Sequence, residues 1–267
     1  MSHVSVSNLA YAHPGGNLLF EGVSFKIAPG AHVGVVGVNG VGKSTLFGVI
    51  MGALPADEGD AATGGRVAHM PQDIGVAGDP RTVRELLLGL TMGALRDAGE
   101  RIAAAESALG AGDDAAGMAL GTAIGDWSEL GGYELEAQWD SACRRIVRAP
   151  FAELADRPAI TLSGGERKRL VLDVLLRSDA DVLLLDESFG ALDAISRNEL
   201  LDAFTMLRAE IGFTCVMVTH DLGEAARLAD AIAVMRAGKI EQVASIAQLR
   251  TSPATPYVAE LLARAQA

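Results

Sequence analysis

The sequence predicts an α/β fold built on a mixed, mostly parallel core sheet, with a small antiparallel β subdomain at the N-terminus and an inserted helical subdomain. Three observations predict it. First, the nearly apolar run His32-Val33-Gly34-Val35-Val36 passes through a glycine-rich loop into Leu46-Phe47-Gly48-Val49-Ile50-Met51, the pattern of strand, loop and helix. Second, Asp181-Val182-Leu183-Leu184-Leu185-Asp186-Glu187 reads as a buried strand ending in two carboxylates, and Thr214-Cys215-Val216-Met217-Val218-Thr219 as a further strand, each with an apolar centre. Third, residues 83–148 turn rich in Ala, Leu, Glu and Arg, with helical spacing in Val83-Leu86-Leu87-Leu90 and Ile102-Ala105-Leu109.

Taken in order, residues 3–36 alternate apolar and polar positions, with turns at Pro14-Gly15-Gly16 and Pro29-Gly30. They read as a small antiparallel sheet feeding the strand before the glycine loop. Tyr11 ends the first of these strands, either as a partly buried aromatic or as a plate for an adenine ring. The loop is Gly37-Val38-Asn39-Gly40-Val41-Gly42-Lys43-Ser44-Thr45. Its glycines let backbone N–H groups turn onto phosphate oxygens, and the helix that follows adds a positive dipole end. Lys43 reaches the outer phosphates and the Ser44 hydroxyl suits Mg²⁺. Residues 66–76 read as a strand running into a loop, with Gln72 at its end. About three helices follow, broken at Gly110-Ala111-Gly112 and Gly131-Gly132.

Leu162-Ser163-Gly164-Gly165-Glu166 opens a further helix, with Ser163 a good N-cap and two glycines baring the backbone N–H groups. It is a second helix start suited to an anion. Asp186 and Glu187 end a buried strand, where α/β sheets hold their ligands. Asp186 suits the Mg²⁺ shell and Glu187 the polarisation of an attacking water. His220 reaches the same sheet edge from the next strand. Ala231–Met235 and Lys239–Val243 form a closing hairpin, and residues 245–267 form short terminal helices.

Composition narrows the function classes. A net charge of -12 opposes broad binding to nucleic acid, so no direct DNA binding is expected, and 4% aromatics make a poor stacking platform. Cys143 and Cys215 lie far apart without metal spacing and read as buried thiols in a reducing compartment. The N-terminus lacks signal-peptide character and no apolar run approaches a membrane span, so a cytoplasmic protein is expected.

Taken together and in this order, Tyr11, the phosphate loop, Gln72, Leu162–Glu166, Asp186-Glu187, Ala191-Leu192-Asp193 and His220 resemble the ATP-binding cassette (ABC) ATPases. The resemblance implies one cassette over 1–267. Residues 1–82 and 160–244 would form the nucleotide-binding core, 83–159 the helical subdomain and 245–267 the C-terminal helices. It further implies ATP and Mg²⁺ as ligands. Tyr11 would stack on adenine, while Gly37, Val38, Asn39, Gly40, Val41, Gly42, Lys43, Ser44 and Thr45 hold the phosphates. Ser44, Gln72 and Asp186 would serve the metal, and Glu187, His220 and Gln72 the hydrolysis. Ser163, Gly164, Gly165 and Glu166 would form the signature that acts on the opposite protomer of a homodimer, with Asp193 at that interface.

Two departures stand out: Ser188 where the family usually has proline, and Glu166 where glutamine is common. Residues 1–187 are similar to the first cassette of ABC-F proteins, which act on ribosomes. Residues 188–267 are similar to importer ATPases of the osmoprotectant and amino-acid type. The single cassette and the importer-like end favour the energising subunit of a transporter, peripheral at the inner face of the membrane on an integral membrane permease. The alternative is an ABC-F-like ATPase acting on the ribosome.

Overall fold

The computed structural model describes residues 3–70, 72, 74, 80–190, 192–210 and 212–265. The chain divides into two compact units, Met1–Gln72 with Leu175–Ala267, and Asp73–Val174.

In the first unit, β1 (His3–Ala12) pairs antiparallel with β2 (Leu18–Ile27) on one side and β4 (Glu58–Gly64) on the other, giving a three-stranded sheet ordered β2-β1-β4. Val4, Val6 and Leu9 of β1 are buried with Phe20, Val23 and Ile27 of β2, as the alternation predicts. The strand β4, Glu-Gly-Asp-Ala-Ala-Thr-Gly, is a finding of the structure. It has almost no apolar residues, so its pairing comes from the open edge of β1 and not from its own pattern.

The second sheet has six strands in the order β5-β6-β7-β3-β8-β9. These are β3 (His32–Val36), β5 (Val67–Met70), β6 (Val182–Asp186), β7 (Thr214–Thr219), β8 (Ala231–Arg236) and β9 (Lys239–Ala244). All neighbours are parallel except β8 and β9, which form the expected hairpin. Thus β3 does not continue the N-terminal sheet; it sits between β7 and β8 in the core sheet. Every residue of β3, β6 and β7 is buried. Helices on both faces explain why these runs do not alternate.

Alternate residues of β3 serve the two faces. Val33 and Val35 pack in one cluster with Leu46, Phe47 and Ile50 of α1 (Lys43–Ile50). Val36 packs in another with Leu222, Ala225, Leu249, Val258 and Leu262. Truncating Phe47, which is fully buried, to alanine costs about 3–5 kcal/mol.

In the second unit, residues 83–148 carry four helices where about three are expected: α2 (Val83–Leu88), α3 (Gly93–Gly110), α4 (Ala116–Glu129) and α5 (Gly132–Ile146). The extra one is short, and a capping box fixes it: the Thr82 hydroxyl accepts from the Glu85 N–H, and the Glu85 carboxylate accepts from the Thr82 N–H. The helix α6 (Phe151–Leu154) and a 3₁₀ turn (Ala159–Thr161) lead into α7 (Gly164–Leu176), whose last two residues belong to the first unit. That unit also holds α8 (Ala194–Glu210), α9 (Leu222–Leu228), α10 (Ile246–Thr251) and α11 (Pro256–Arg264).

Cys143 and Cys215 are free and fully buried. Burial pushes the Cys143 thiol up to about 12, so it stays protonated. No helix among the described residues is long and apolar enough to cross a membrane.

Candidate functional site

The ends of β3, β6 and β7 lie side by side in register, Val36 opposite Thr219 and Asp186 opposite Val218. The glycine loop, the Asp-Glu pair and His220 leave these three ends. The loop's path depends on close approach. A side chain on Gly37 would bring its Cβ within 2.5 Å of the Met235 carbonyl oxygen. Gly42 holds φ +101 as the N-cap of α1, with no side-chain cap. The first turn of α1 is therefore left with N–H groups that no side chain answers.

Beside this loop lies a cavity of about 370 Å³ lined by His13, Leu19, Asn39, Gly40, Gly42, Lys43, Ser44, Thr45, Gln72 and Glu187. Lys43 is only 4% exposed. Its Nζ donates to the carbonyl oxygens of Gly37 (2.8 Å) and Val38 (3.2 Å) and pairs with Glu187 Oε1 at 3.5 Å. Desolvation lowers its pKa, and the Glu187 and Asp186 carboxylates work against that shift. Ser44 Oγ donates to Asp186 Oδ1 at 3.0 Å. Glu187 Oε2 lies 3.4 Å from His220 Nδ1. One carboxylate thus stands between the loop lysine and the histidine.

The backbone at Glu187 has φ +42, a left-handed conformation that is strained for a side chain of this size. The Glu187 N–H donates to the Val218 carbonyl of β7 at 2.9 Å, which ties down the turn. Ser188 is buried, with its hydroxyl 3.5 Å from the Met70 carbonyl oxygen.

Tyr11, the expected adenine plate, is not among the residues that line this cavity. It is 5% exposed and stacks on Phe20, ring centroids 5.9 Å apart. The ring on the cavity is His13, edge-on to Tyr11 at 5.4 Å. Its only signal in the sequence is an aromatic nitrogen ring beside the Pro14-Gly15-Gly16 turn.

Asp193 has its carboxylate folded onto the start of α8, accepting from the N–H groups of Ile195 and Ser196, both at 3.0 Å. A hydrogen bond from the Ser196 hydroxyl, followed by these N–H bonds, holds its pKa below the ordinary value. Sequence reasoning missed Glu224. It is buried, accepts from Thr219 Oγ1 at 2.6 Å, and has its pKa raised chiefly by burial. In the second unit, Ser163 and Glu166 form a capping box at the start of α7. The Glu166 carboxylate accepts from Ser163 N–H (2.8 Å) and from Ser163 Oγ (2.7 Å), and its own N–H donates back to Ser163 Oγ at 3.2 Å. Of the two departures from the common pattern, Glu166 is therefore fully engaged with the serine it follows.

A family model described as ABC transporter matches residues 20–190, well over half of the chain. The chain belongs to the ABC transporter family. The glycine loop, the end of β6 and the Ser163 helix start of this ABC transporter chain all fall inside the matched stretch. Among curated relatives, it is 36% identical over 88% of its length to an antibiotic resistance protein of Mycobacteroides abscessus, covering 42% of that protein. It is 31% identical over 97% of its length to the sn-glycerol-3-phosphate import ATP-binding protein UgpC of Cereibacter sphaeroides, covering 66% of it. It is 33% identical over 93% of its length to the Fe(3+) ions import ATP-binding protein FbpC of Streptomyces avermitilis, covering 64% of it.

The ABC transporter chain thus spans between two-fifths and two-thirds of the length of these relatives. Likeness to import ATP-binding proteins runs over nearly the whole chain and is not confined to residues 188–267. Its fold is similar to that of a bacterial Atm1-family ABC exporter with ATP bound, with TM-score 0.68 and 23% identity, covering all of this chain and 42% of that one. It is similar likewise to a putative metal-chelate type ABC transporter, with TM-score 0.68 and 18% identity, covering 99% and 90%.

Proposed function

We propose that the chain is an ATP-hydrolysing cassette that energises an ABC importer from the cytoplasmic face of the membrane, docked on an integral membrane permease and paired with a second cassette. One observation carries the catalytic part. A single carboxylate, Glu187, is held between Lys43 and His220 on the wall of the glycine-loop cavity, next to the Ser44–Asp186 pair.

The oxygens of Ser44 and Asp186, 3.0 Å apart, form a hard-donor pair that fits Mg²⁺, with Gln72 on the same cavity. When bound, that ion would neutralise phosphate charge and fix the phosphate orientation. The chain's own residues do the rest. Phosphate oxygens take the bare N–H groups of the loop and of the start of α1. Lys43 turns its ammonium from Glu187 to the outer phosphates. Glu187, released from that pair, accepts a hydrogen bond from the attacking water and polarises it. His220, beside Glu187, turns a ring N–H to the terminal phosphate once that phosphate is bound. Stabilisation comes from positioning and fixed charge. The His13 ring offers a face for the base.

The second helix start, at Ser163, Gly164 and Gly165, would cover the terminal phosphate held by the other copy, and Asp193 would lie near that contact. Mixing inactive Lys43→Ala protein with inactive Ser163→Arg protein tests this sharing. A mixed dimer holds one site with both defects and one with neither. Partial recovery of phosphate release is expected; no recovery in demonstrated mixed dimers overturns it. Co-purification from native membranes and from ribosome pellets tests the role. Recovery with an integral membrane protein supports the importer, named as such in relatives that match most of the chain. Recovery with ribosomes alone overturns it.

A further inference from the structure

The second unit contains a cavity of about 310 Å³, at the small end of the range for small-molecule sites, about 300–1,000 Å³. The chain has two tryptophans, Trp127 on α4 and Trp139 on α5, and both line it. Tyr133, 54% exposed, stands on the same wall.

The backbone leaves room for the Trp127 ring. A Cβ on Gly132, at the start of α5, would lie 2.1 Å from the indole, and one on Gly99, in α3, 3.0 Å from it. Trp139 is 1% exposed, and its Nε1–H has no hydrogen-bond partner among the described residues. A buried donor left so is destabilising. An ordered water in the cavity answering that N–H would remove the cost.

The charge on the walls is predominantly negative. Glu85, Glu106, Glu136 and Asp156 face a single cation, Arg84. That guanidinium is already taken: it pairs with Glu136 at 2.8 Å and lies over the Phe151 ring at 5.2 Å. Glu106 and Asp156 are exposed and show no ion pair among the described residues. An anion is repelled here. A neutral apolar ligand gains only burial. A cation gains the π-faces of the aromatic wall and the unanswered carboxylates together.

We propose that this cavity binds a small organic cation, an ammonium or guanidinium on a compact apolar body. The apolar body packs on Trp127, Leu88 and Ile102, and the charge lies toward Glu106 and Asp156. This inference is independent of the nucleotide reading and is tested without nucleotide.

Because both tryptophans line the cavity, tryptophan emission, excited where tyrosine does not absorb, reports on it in the full chain. The probe is benzyltrimethylammonium chloride, with benzyl alcohol, sodium benzoate and sodium chloride as comparisons at matched ionic strength. A saturable change in emission with the cation only is expected. In Glu106→Gln or Asp156→Asn, conservative changes at exposed positions, the midpoint rises by about fivefold, the loss of one partly screened charge. Weakening in either variant supports the site. A non-saturating response, an equal response to benzyl alcohol, or an unchanged midpoint in both variants overturns it.

Discussion

The chain carries two glycine-rich helix starts, and they are finished in opposite ways. At α1 the N-cap is Gly42, in a left-handed conformation with no side chain to answer the first N–H groups, and a buried lysine stands at the first helical position. At α7 the serine before the glycines is locked in a capping box, with the Glu166 carboxylate held by Ser163 N–H and Oγ. Both sequences read as anion sites. The difference is that the first helix start is left unsatisfied by its own chain and must be completed from outside. The second has already supplied itself with a negative charge. A helix start of the first kind suits a phosphate unaided; one of the second kind suits a phosphate presented to it, held by something else.

The largest expected effect lies beside the first helix start. Glu187→Gln should lower phosphate release by about 10²- to 10⁴-fold while ATP binding persists, since the amide keeps the shape but polarises water poorly. A phosphate-release assay beside gel filtration with Mg-ATP reads both halves. Unchanged turnover would move the role to His220. Next, Lys43→Ala should weaken equilibrium ATP binding about a hundredfold, by removing charge-assisted bonds to phosphate. Wild-type affinity in that variant would erase the contrast between the two helix starts.

The second helix start should respond differently. Ser163→Ala should leave ATP affinity of the dilute, monomeric chain unchanged and cost about 1 kcal/mol of stability through loss of the cap, measured by denaturant unfolding. A loss of monomer affinity would mean that the two helix starts are not independent. The smallest effect is a pH dependence. The Ser163 hydroxyl, first among its partners, holds the Glu166 pKa below its ordinary 4.5. A depressed carboxylate contributes stability that is fully present above the unfolded value and is lost as pH falls through the folded one. The stability gap between wild type and Glu166→Gln should therefore narrow only below about pH 4.5. A gap that grows on acidification would reverse the sign.

Much of this was legible because the core is patterned by burial. The runs ending at Val36, Asp186 and Thr219 are covered on both faces, so continuous apolarity marked them as strands. Their order in the sheet put Ser44 beside Asp186 and Lys43 beside Glu187. What stayed hidden has physical reasons. The strand β4 borrows its pairing from a neighbour's edge and has no pattern of its own. Strand alternation leaves open whether Tyr11, an aromatic at a strand end, faces a ligand or a neighbour, and the structure stacks it on Phe20. His13 and the Thr219–Glu224 bond depend on where a turn and a helix come to rest, which spacing does not encode.

The strand order has a consequence for the making of the protein. β3, which launches the glycine loop, finds its two neighbours in β7 and β8. Those strands begin at Thr214 and Ala231, so at least 177 residues (from Val36 to Thr214, endpoints excluded) are translated before either partner exists. At about 5–20 residues per second, β3 waits roughly 9–35 s on the ribosome with both edges open. The antiparallel pair β1 and β2 needs no such delay. ATP binding is then a late event in synthesis, and a nascent chain stalled before residue 214 should fail to retain the nucleotide. The exposed valines of β3 make that interval the one in which the chain most needs protection from aggregation.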